Sequence, residues 1–195
     1  MAAPTAPLAI TGDPEADELL NRDALALLIG MLLDQQIPME WAFMGPLRLK
    51  ERLGGSMDTR QISEMDPDEL VLAFRDKPSL HRYPKSMAER THALCTHLVE
   101  HHGGDAAEVW KGAADGADLF ARLLALPGYG EEKARIFCAL LAKRFGVRPA
   151  GWEEQAGPFA DDRPRSVADI DGPDALAAVR AYKKELKAAG KGKGG

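Results

Sequence analysis

Three observations in the sequence predict an all-α protein. Nearly every segment reads with helical spacing between short breaks, no stretch sustains the two-residue alternation of a half-buried strand, and proline and glycine punctuate the periodic runs. The chain has 195 residues and is 45% hydrophobic. That suffices for one large domain or for two small lobes folded around a shared cleft. Residues 1–195 read as one such two-lobed domain, with 190–195, "GKGKGG", as a disordered basic tail.

The elements follow in order. Asp23 can cap a helix continuing as "ALALLIGMLLDQQ", apolar on nearly all sides as a helix at the centre of a fold must be, with Ile37 and Pro38 ending it. Pro38 suits the first turn of "MEWAFMGPLRLKERLGG", where the internal Pro46 predicts a kink or split and Gly54 and Gly55 a stop. "DPDELVLAFRD" is a short helix with Asp66 as its cap. Pro84 opens "PKSMAERTHALCTHLVEHHGG", with Met87, Leu94, Leu98 and Val99 as its apolar stripe and Gly103 as its stop. "DLFARLLAL" precedes a tight turn and a long helix from Glu131. The stretch from Arg148 to Arg165 is rich in Pro and Gly and reads as irregular, and "PDALAAVRAYKKELKAA" is a last helix.

Charge and cysteine usage narrow the function classes. A net charge of -5 argues against a generic nucleic-acid binder, since sequence-independent phosphate affinity comes from excess lysine and arginine; contact with DNA would need a local patch. Cys95 and Cys138 stand far apart in helical stretches, which excludes a disulfide framework or a four-cysteine cluster and fits a reducing cytoplasm. The longest apolar run, Ala24 to Leu33, is about half a bilayer span, and the N-terminus has no basic segment of the signal-peptide kind. A cytoplasmic monomer is expected.

The most informative stretch is "LPGYGEEKARIFCALLAKRFG", Leu126 to Gly146. Leu126 and Pro127 end one helix, Gly128 and Gly130 make a tight hairpin, and a new helix starts near Glu131. Its free N–H groups and positive dipole end face the turn, with no side chain at 128 or 130 to hold a phosphate away. Lys133 and Arg135 can reinforce such a contact, with Tyr129 at the tip. Glu131 and Glu132 could instead satisfy the helix end of an ordinary helical hairpin.

This stretch resembles the helix-hairpin-helix of the DNA glycosylases related to endonuclease III, the HhH-GPD superfamily, whose pattern is L-P-G-x-G followed by a helix. "LIGMLLDQQ" is similar to the family's buried helix ending in glutamine, and "YPKSMAERTHAL" to its segment between hairpin and interior helix. The resemblance spans Asp23 to Trp152 and is greatest to the short branch without an iron-sulfur cluster. It implies two helical lobes with damaged double-stranded DNA across the cleft, a nucleoid-associated location, and a monovalent cation held by the backbone carbonyls of Leu124, Leu126 and Tyr129. It also implies base excision repair: a base flipped from the stack and its N-glycosidic bond hydrolysed.

Such chemistry uses a carboxylate to stabilise the sugar cation, in the family an aspartate some distance past the hairpin. The corresponding stretch here, "FGVRPAGWEEQAG", has no aspartate; Glu153 and Glu154 are its carboxylates and the first catalytic candidates. Asp34 is the rival, at the end of an apolar helix beside Gln35 and Gln36. The resemblance places Gln36 near the flipped-out site, and Gln35 with Trp152 completes the expected base pocket. Trp41, Trp110, Tyr83 and Tyr129 are the other aromatics able to stack on a base. Relatives with lyase activity carry a nucleophilic lysine at the position that is Glu132 here. Lys133 is one residue off, about 100 degrees around the helix, so a monofunctional enzyme is expected.

Two other classes compete. "HLVEH", His97 to His101, matches the H-x-x-E-H pattern of inverted zinc peptidases, but no third-ligand segment follows, and His97, His101 and His102 read as a solvated face near a helix end. The serious alternative is a non-catalytic DNA-binding or scaffold protein that keeps the hairpin and has lost the aspartate.

Overall fold

The computed structural model describes residues 4–190. Ten α-helices run Pro14–Arg22 (α1), Ala24–Leu33 (α2), Met39–Arg52 (α3), Thr59–Glu64 (α4), Pro67–Arg75 (α5), Pro84–His102 (α6), Gly116–Leu124 (α7), Glu131–Arg144 (α8), Trp152–Ala156 (α9) and Pro173–Ala188 (α10), with three short 3-10 turns, and the described residues contain no strand. Aspartate starts many of them: Asp13, Asp23, Asp58, Asp66 and Asp115 each accept a backbone N–H from the first turn of the helix that follows.

Helix α2 is the axis of the molecule. All ten of its residues are buried, and each large apolar side chain removed from water there contributes about 2 kcal/mol. Helix α3 packs closely because both partners supply a glycine. A Cβ on Gly30 would stand 2.7 Å from the Phe43 ring, and one on Gly45 2.5 Å from Leu33 Cδ1. Helices α4, α5 and α6 pack on one another, α7, α8 and α9 form a second group, and α2 touches α6 and the 3-10 turn at Ala106–Val109. The buried side chains of both groups join in one apolar cluster running from Leu8 to Val179.

The first and last described segments are tied to this frame. Thr5 and Ala6 donate backbone bonds to the Arg144 carbonyl, and Asn21 bonds the backbone of Leu8 in both directions. On the C-terminal side the Lys143 ammonium meets the Asp169 carboxylate at 2.6 Å, both largely buried. Arg165 clasps Asp161 and Tyr182, and Arg180 pairs with Glu40 to hold α10 on α3.

Several sequence expectations are corrected. Helix α2 stops at Leu33, not beyond Gln36: Asp34 leaves helical geometry (φ -71, ψ 74) and Gln36 adopts a positive φ of 58. Helix α3 is not split at Pro46, which lies inside a continuous helix, buried between flanking turns whose packing on α2 outweighs its one missing hydrogen bond. The stretch after Arg148 is not wholly irregular, since it contains α9. Val99 is half-buried at the edge of the α6 stripe, where Ala88, Thr91 and Cys95 are buried instead. Of the proposed tail, residues 191–195 lie outside the described residues. No helix among the described residues is long and apolar enough to cross a membrane.

Candidate nucleic-acid interface

The hairpin between α7 and α8 sits directly on the C-terminal end of α2. Gly128 is left-handed (φ 84), and a Cβ there would lie 2.3 Å from Leu32 Cδ1, so both backbone conformation and packing require glycine. Gly130 is different. Its backbone is extended (φ -94, ψ 177), open to any residue, and a Cβ would meet nothing within 4 Å. No side chain caps α8 at Gly130, although the hairpin N-terminus is exposed. Glu131 turns away to Arg135, at 2.8 Å.

The side chains singled out beside the hairpin serve the protein itself. Tyr129 is buried, and its hydroxyl donates to the Leu28 carbonyl at 2.8 Å; burial pushes its pKa well above the ordinary phenol value. Only its backbone faces the turn. Lys133 donates from Nζ to the carbonyls of Met31 and Leu32, each at 2.6 Å, which satisfies carbonyls that α2 leaves open where it ends. Arg135 bonds Glu131 and the Gln155 carbonyl and lies over the Phe120 ring.

The residues after Leu33 are held from several sides. Gln35 donates to the Leu32 carbonyl at 2.8 Å and accepts from Arg90 at 2.9 Å. Gln36 is exposed, and its amide oxygen is 3.4 Å from the Tyr83 hydroxyl. Asp34 is half-buried, and its carboxylate makes no hydrogen bond or ion pair among the described residues. Glu153 and Glu154 are exposed in the first turn of α9, beside half-buried Trp152. Helix α9 packs on α7 and α8. Of the other aromatics, Trp110 is buried against Phe137, Trp41 donates to the Ser79 carbonyl, and Tyr83 is 44% exposed.

The fold adds four residues to which no sequence motif pointed: His81, Arg82, Lys85 and Arg90. Arg82 lies over the Tyr83 ring at 5.4 Å, and both are exposed, as are Lys85 and Arg90. The first turn of α6 carries no acidic residue and no side-chain cap, so its positive dipole end adds to this cationic patch. The available signal was "HRYPK", an aromatic residue among basic ones just before a proline-opened helix. His81 is buried and bridges the Gln35 carbonyl and the Tyr83 N–H, at 3.0 Å each.

Other features lie apart. At the end of α6 the His97 and His101 rings are 4.4 Å apart, but no group of three or more metal-ligating side chains forms among the described residues. Cys95 and Cys138 are free, buried thiols, both pushed up to about 12 by burial. An open groove of about 800 Å³ is lined by residues of α3, α4 and α5, among them Arg52, Met65, Glu69 and Leu72; none of the candidate residues borders it.

Fold and site together define an all-helical protein whose helix-hairpin-helix is docked on a buried central helix. No family model and no curated protein matches the chain. Among solved structures it is similar to a trapped covalent intermediate of endonuclease III with DNA, an estranged-adenine complex. That likeness has 17% identity and a TM-score of 0.48, and covers 88% of this chain and 73% of the other.

Proposed function

We propose that this protein binds double-stranded DNA through its hairpin and acts as a monofunctional DNA N-glycosylase of the HhH-GPD kind. The observation that carries the reading is Gly130: a glycine that neither backbone conformation nor packing requires, at an exposed helix start that no side chain caps. Phosphate approach accounts for it, since the first N–H groups of α8 can then bond an anion at backbone distance. Arg82 and Arg90, beside a Lys85 that pairs with Glu89 at 3.9 Å, supply the local positive charge that the acidic chain as a whole lacks. The carbonyls of Leu124, Leu126 and Tyr129 would hold a monovalent cation shared with that phosphate. Leu126 accepts one bond, from the Tyr129 N–H at 3.0 Å, which leaves it a second lone pair.

In the proposed reaction water adds to the anomeric carbon of a flipped nucleotide, the bond from that carbon to the base nitrogen breaks, and the base departs with a proton. A carboxylate stabilises the developing sugar cation, takes the proton of the attacking water and passes it through solvent to the departing base, which leaves with the electron pair of the broken bond. Asp34 suits this role because it is fixed next to the anchored end of α2 and has no internal partner. Glu153 and Glu154 are its rivals from α9. Lys133 is committed to two carbonyls, which favours hydrolysis over lyase chemistry. Gln36 and Tyr83 would stand where a base is displaced, with Gln35 behind them; Trp152 lies apart, its backbone against Gly116 at the start of α7.

The test exposes the protein to duplexes carrying uracil, alkylated purines, oxidised guanine or an abasic site, and scores base release and strand cleavage separately. Asp34→Asn, Glu153→Gln and Glu154→Gln are run beside it. Release without cleavage, abolished by one substitution, supports the enzyme and names its carboxylate. Duplex binding without release of any base replaces it with the non-catalytic DNA-binding protein.

A further inference from the structure

We propose that His81, as a neutral imidazole, is the positioning residue that sets Gln36 and Tyr83 in register with one another. The inference rests on the proposed DNA-binding face, since it assigns what aligns the two side chains presented there. Tyr83 N–H donates to Nδ1, so Nδ1 carries no proton, and Nε2–H therefore donates to the Gln35 carbonyl; each contact is 3.0 Å. One buried ring thus ties the last turn after α2 to the first residue before α6. Gln36 follows directly, in a left-handed conformation (φ 58) that a non-glycine residue adopts at a cost. The Tyr83 hydroxyl reaches back to its amide, completing a small ring of contacts from Gln35 through His81 and Tyr83 to Gln36.

A second proton on this imidazole has nowhere to go. It would sit on Nδ1 against the Tyr83 N–H, turning an acceptor into a donor facing a donor. The charged groups facing the ring are Lys133 from α8 and Arg90 from α6, both cationic, while the carbonyls of Leu33 and Gln35 face it from the end of α2. Burial is the largest effect opposing protonation and the two cations add to it, against the opposite pull of the carbonyls, leaving the pKa below its ordinary 6.5. Acidification therefore breaks the link between Gln36 and Tyr83. This runs opposite to the usual effect of histidine protonation near DNA, where added positive charge tightens binding.

The test has two arms on the full chain. In the first, NMR of the free protein follows the His81 ring nitrogens and the backbone amides of Gln36 and Tyr83 through a pH titration. The expected result is an Nε2–H tautomer with a midpoint below 6.5, and amide shifts at both residues that share that midpoint. Amides that stay still while His81 titrates overturn the inference. In the second arm, affinity for an abasic-site duplex is compared at about pH 7.5 and at a pH about one unit below the His81 midpoint found in the first arm. Wild type is expected to lose about tenfold relative to His81→Gln, which cannot take up a proton and can still donate to the Gln35 carbonyl. Equal pH profiles for the two proteins also overturn it. If wild type binds no duplex at either pH, the DNA reading fails, while the NMR arm still decides whether His81 positions the pair.

Discussion

Lys133 donates a 2.6 Å hydrogen bond to the carbonyl of Leu32, the residue whose side chain fills the space left by the missing Cβ of Gly128. The hairpin and α2 are thus joined twice at one point, once by charge and once by packing. The cation a phosphate contact would have used is spent on the end of a buried helix. Lys133→Met is therefore expected to cost stability, about 1 to 3 kcal/mol, because two carbonyls near α2's end lose a charged donor. Urea unfolding measures it. Duplex affinity should fall with stability, and the salt dependence of any remaining binding should keep its slope; an unchanged unfolding midpoint with a shallower slope would return Lys133 to the phosphate.

The two hairpin glycines should separate folding from binding. Gly128→Ala places a side chain in left-handed backbone and against Leu32, and should destabilise by about 1 to 3 kcal/mol. Gly130→Ala meets neither obstacle and should cost only the preference of a helix N-cap for glycine over alanine, about 1 kcal/mol or less. Its methyl group would stand where the phosphate approaches, so duplex binding should weaken at least tenfold or so. Wild-type binding by Gly130→Ala would remove the main support for an anion site at the start of α8.

Stability should fall with acid in two windows. Burial lowers the pKa values of His81, His97 and His102 from the ordinary 6.5, so the folded state binds fewer protons than the unfolded chain. Their contribution is complete above the unfolded value and is lost as pH drops below about 6.5 toward the folded values. Asp105, Asp118 and Asp161 are lowered from 3.8, chiefly by bonds to Lys111, Arg122 and Arg165. That stability is present above the unfolded value and is lost as pH falls below about 3.8. Urea midpoints taken across the range should decline in the histidine window first, and His81→Gln should remove part of that first decline.

How far the sequence carries can be judged at α2. Its start was legible because Asp23 acts on an N–H three residues away, and its burial because no side of it is polar. Its end was not. Gln35 and Gln36 continue the helical spacing, and what stops the helix lies far off in the chain: Lys133 on the Met31 and Leu32 carbonyls and His81 on the Gln35 carbonyl. The hairpin was legible for the same local reason as the caps, a proline and two glycines acting on neighbouring backbone. The duties of Lys133, Tyr129 and Arg135 were not, because each bonds a carbonyl belonging to a distant element. Helices α1 and α4 escaped the reading; both are short, and much of each is exposed.

Thr91 offers a test of packing independent of DNA. Its hydroxyl is buried on α6 with no hydrogen-bond partner among the described residues, so the group loses its hydration and gains nothing in return. Thr91→Val replaces it with a methyl group of similar size, and the unfolding midpoint should rise by up to about 1 kcal/mol in stability. A clear loss would mean that the hydroxyl bonds a partner inside the fold.

Arg90 should be the counterpart of Lys133. It is exposed, bonds only the Gln35 amide oxygen among the described residues, at 2.9 Å, and its side chain reaches the hairpin, 3.9 Å from where a Cβ on Gly128 would stand. Removing it should cost little stability, within about 0.5 kcal/mol, as for most surface changes. It should weaken duplex binding several-fold and reduce the slope of log affinity against log salt by about 0.9, the value for one lost phosphate contact. Arg82→Ala, whose guanidinium lies over Tyr83, should produce a similar change. Fluorescence titrations of a labelled duplex at several salt concentrations, run beside urea unfolding, check both predictions. An unaltered slope for both variants would place the phosphate path elsewhere, and a shallower slope for Arg90→Ala alone would draw it along α6 past the hairpin.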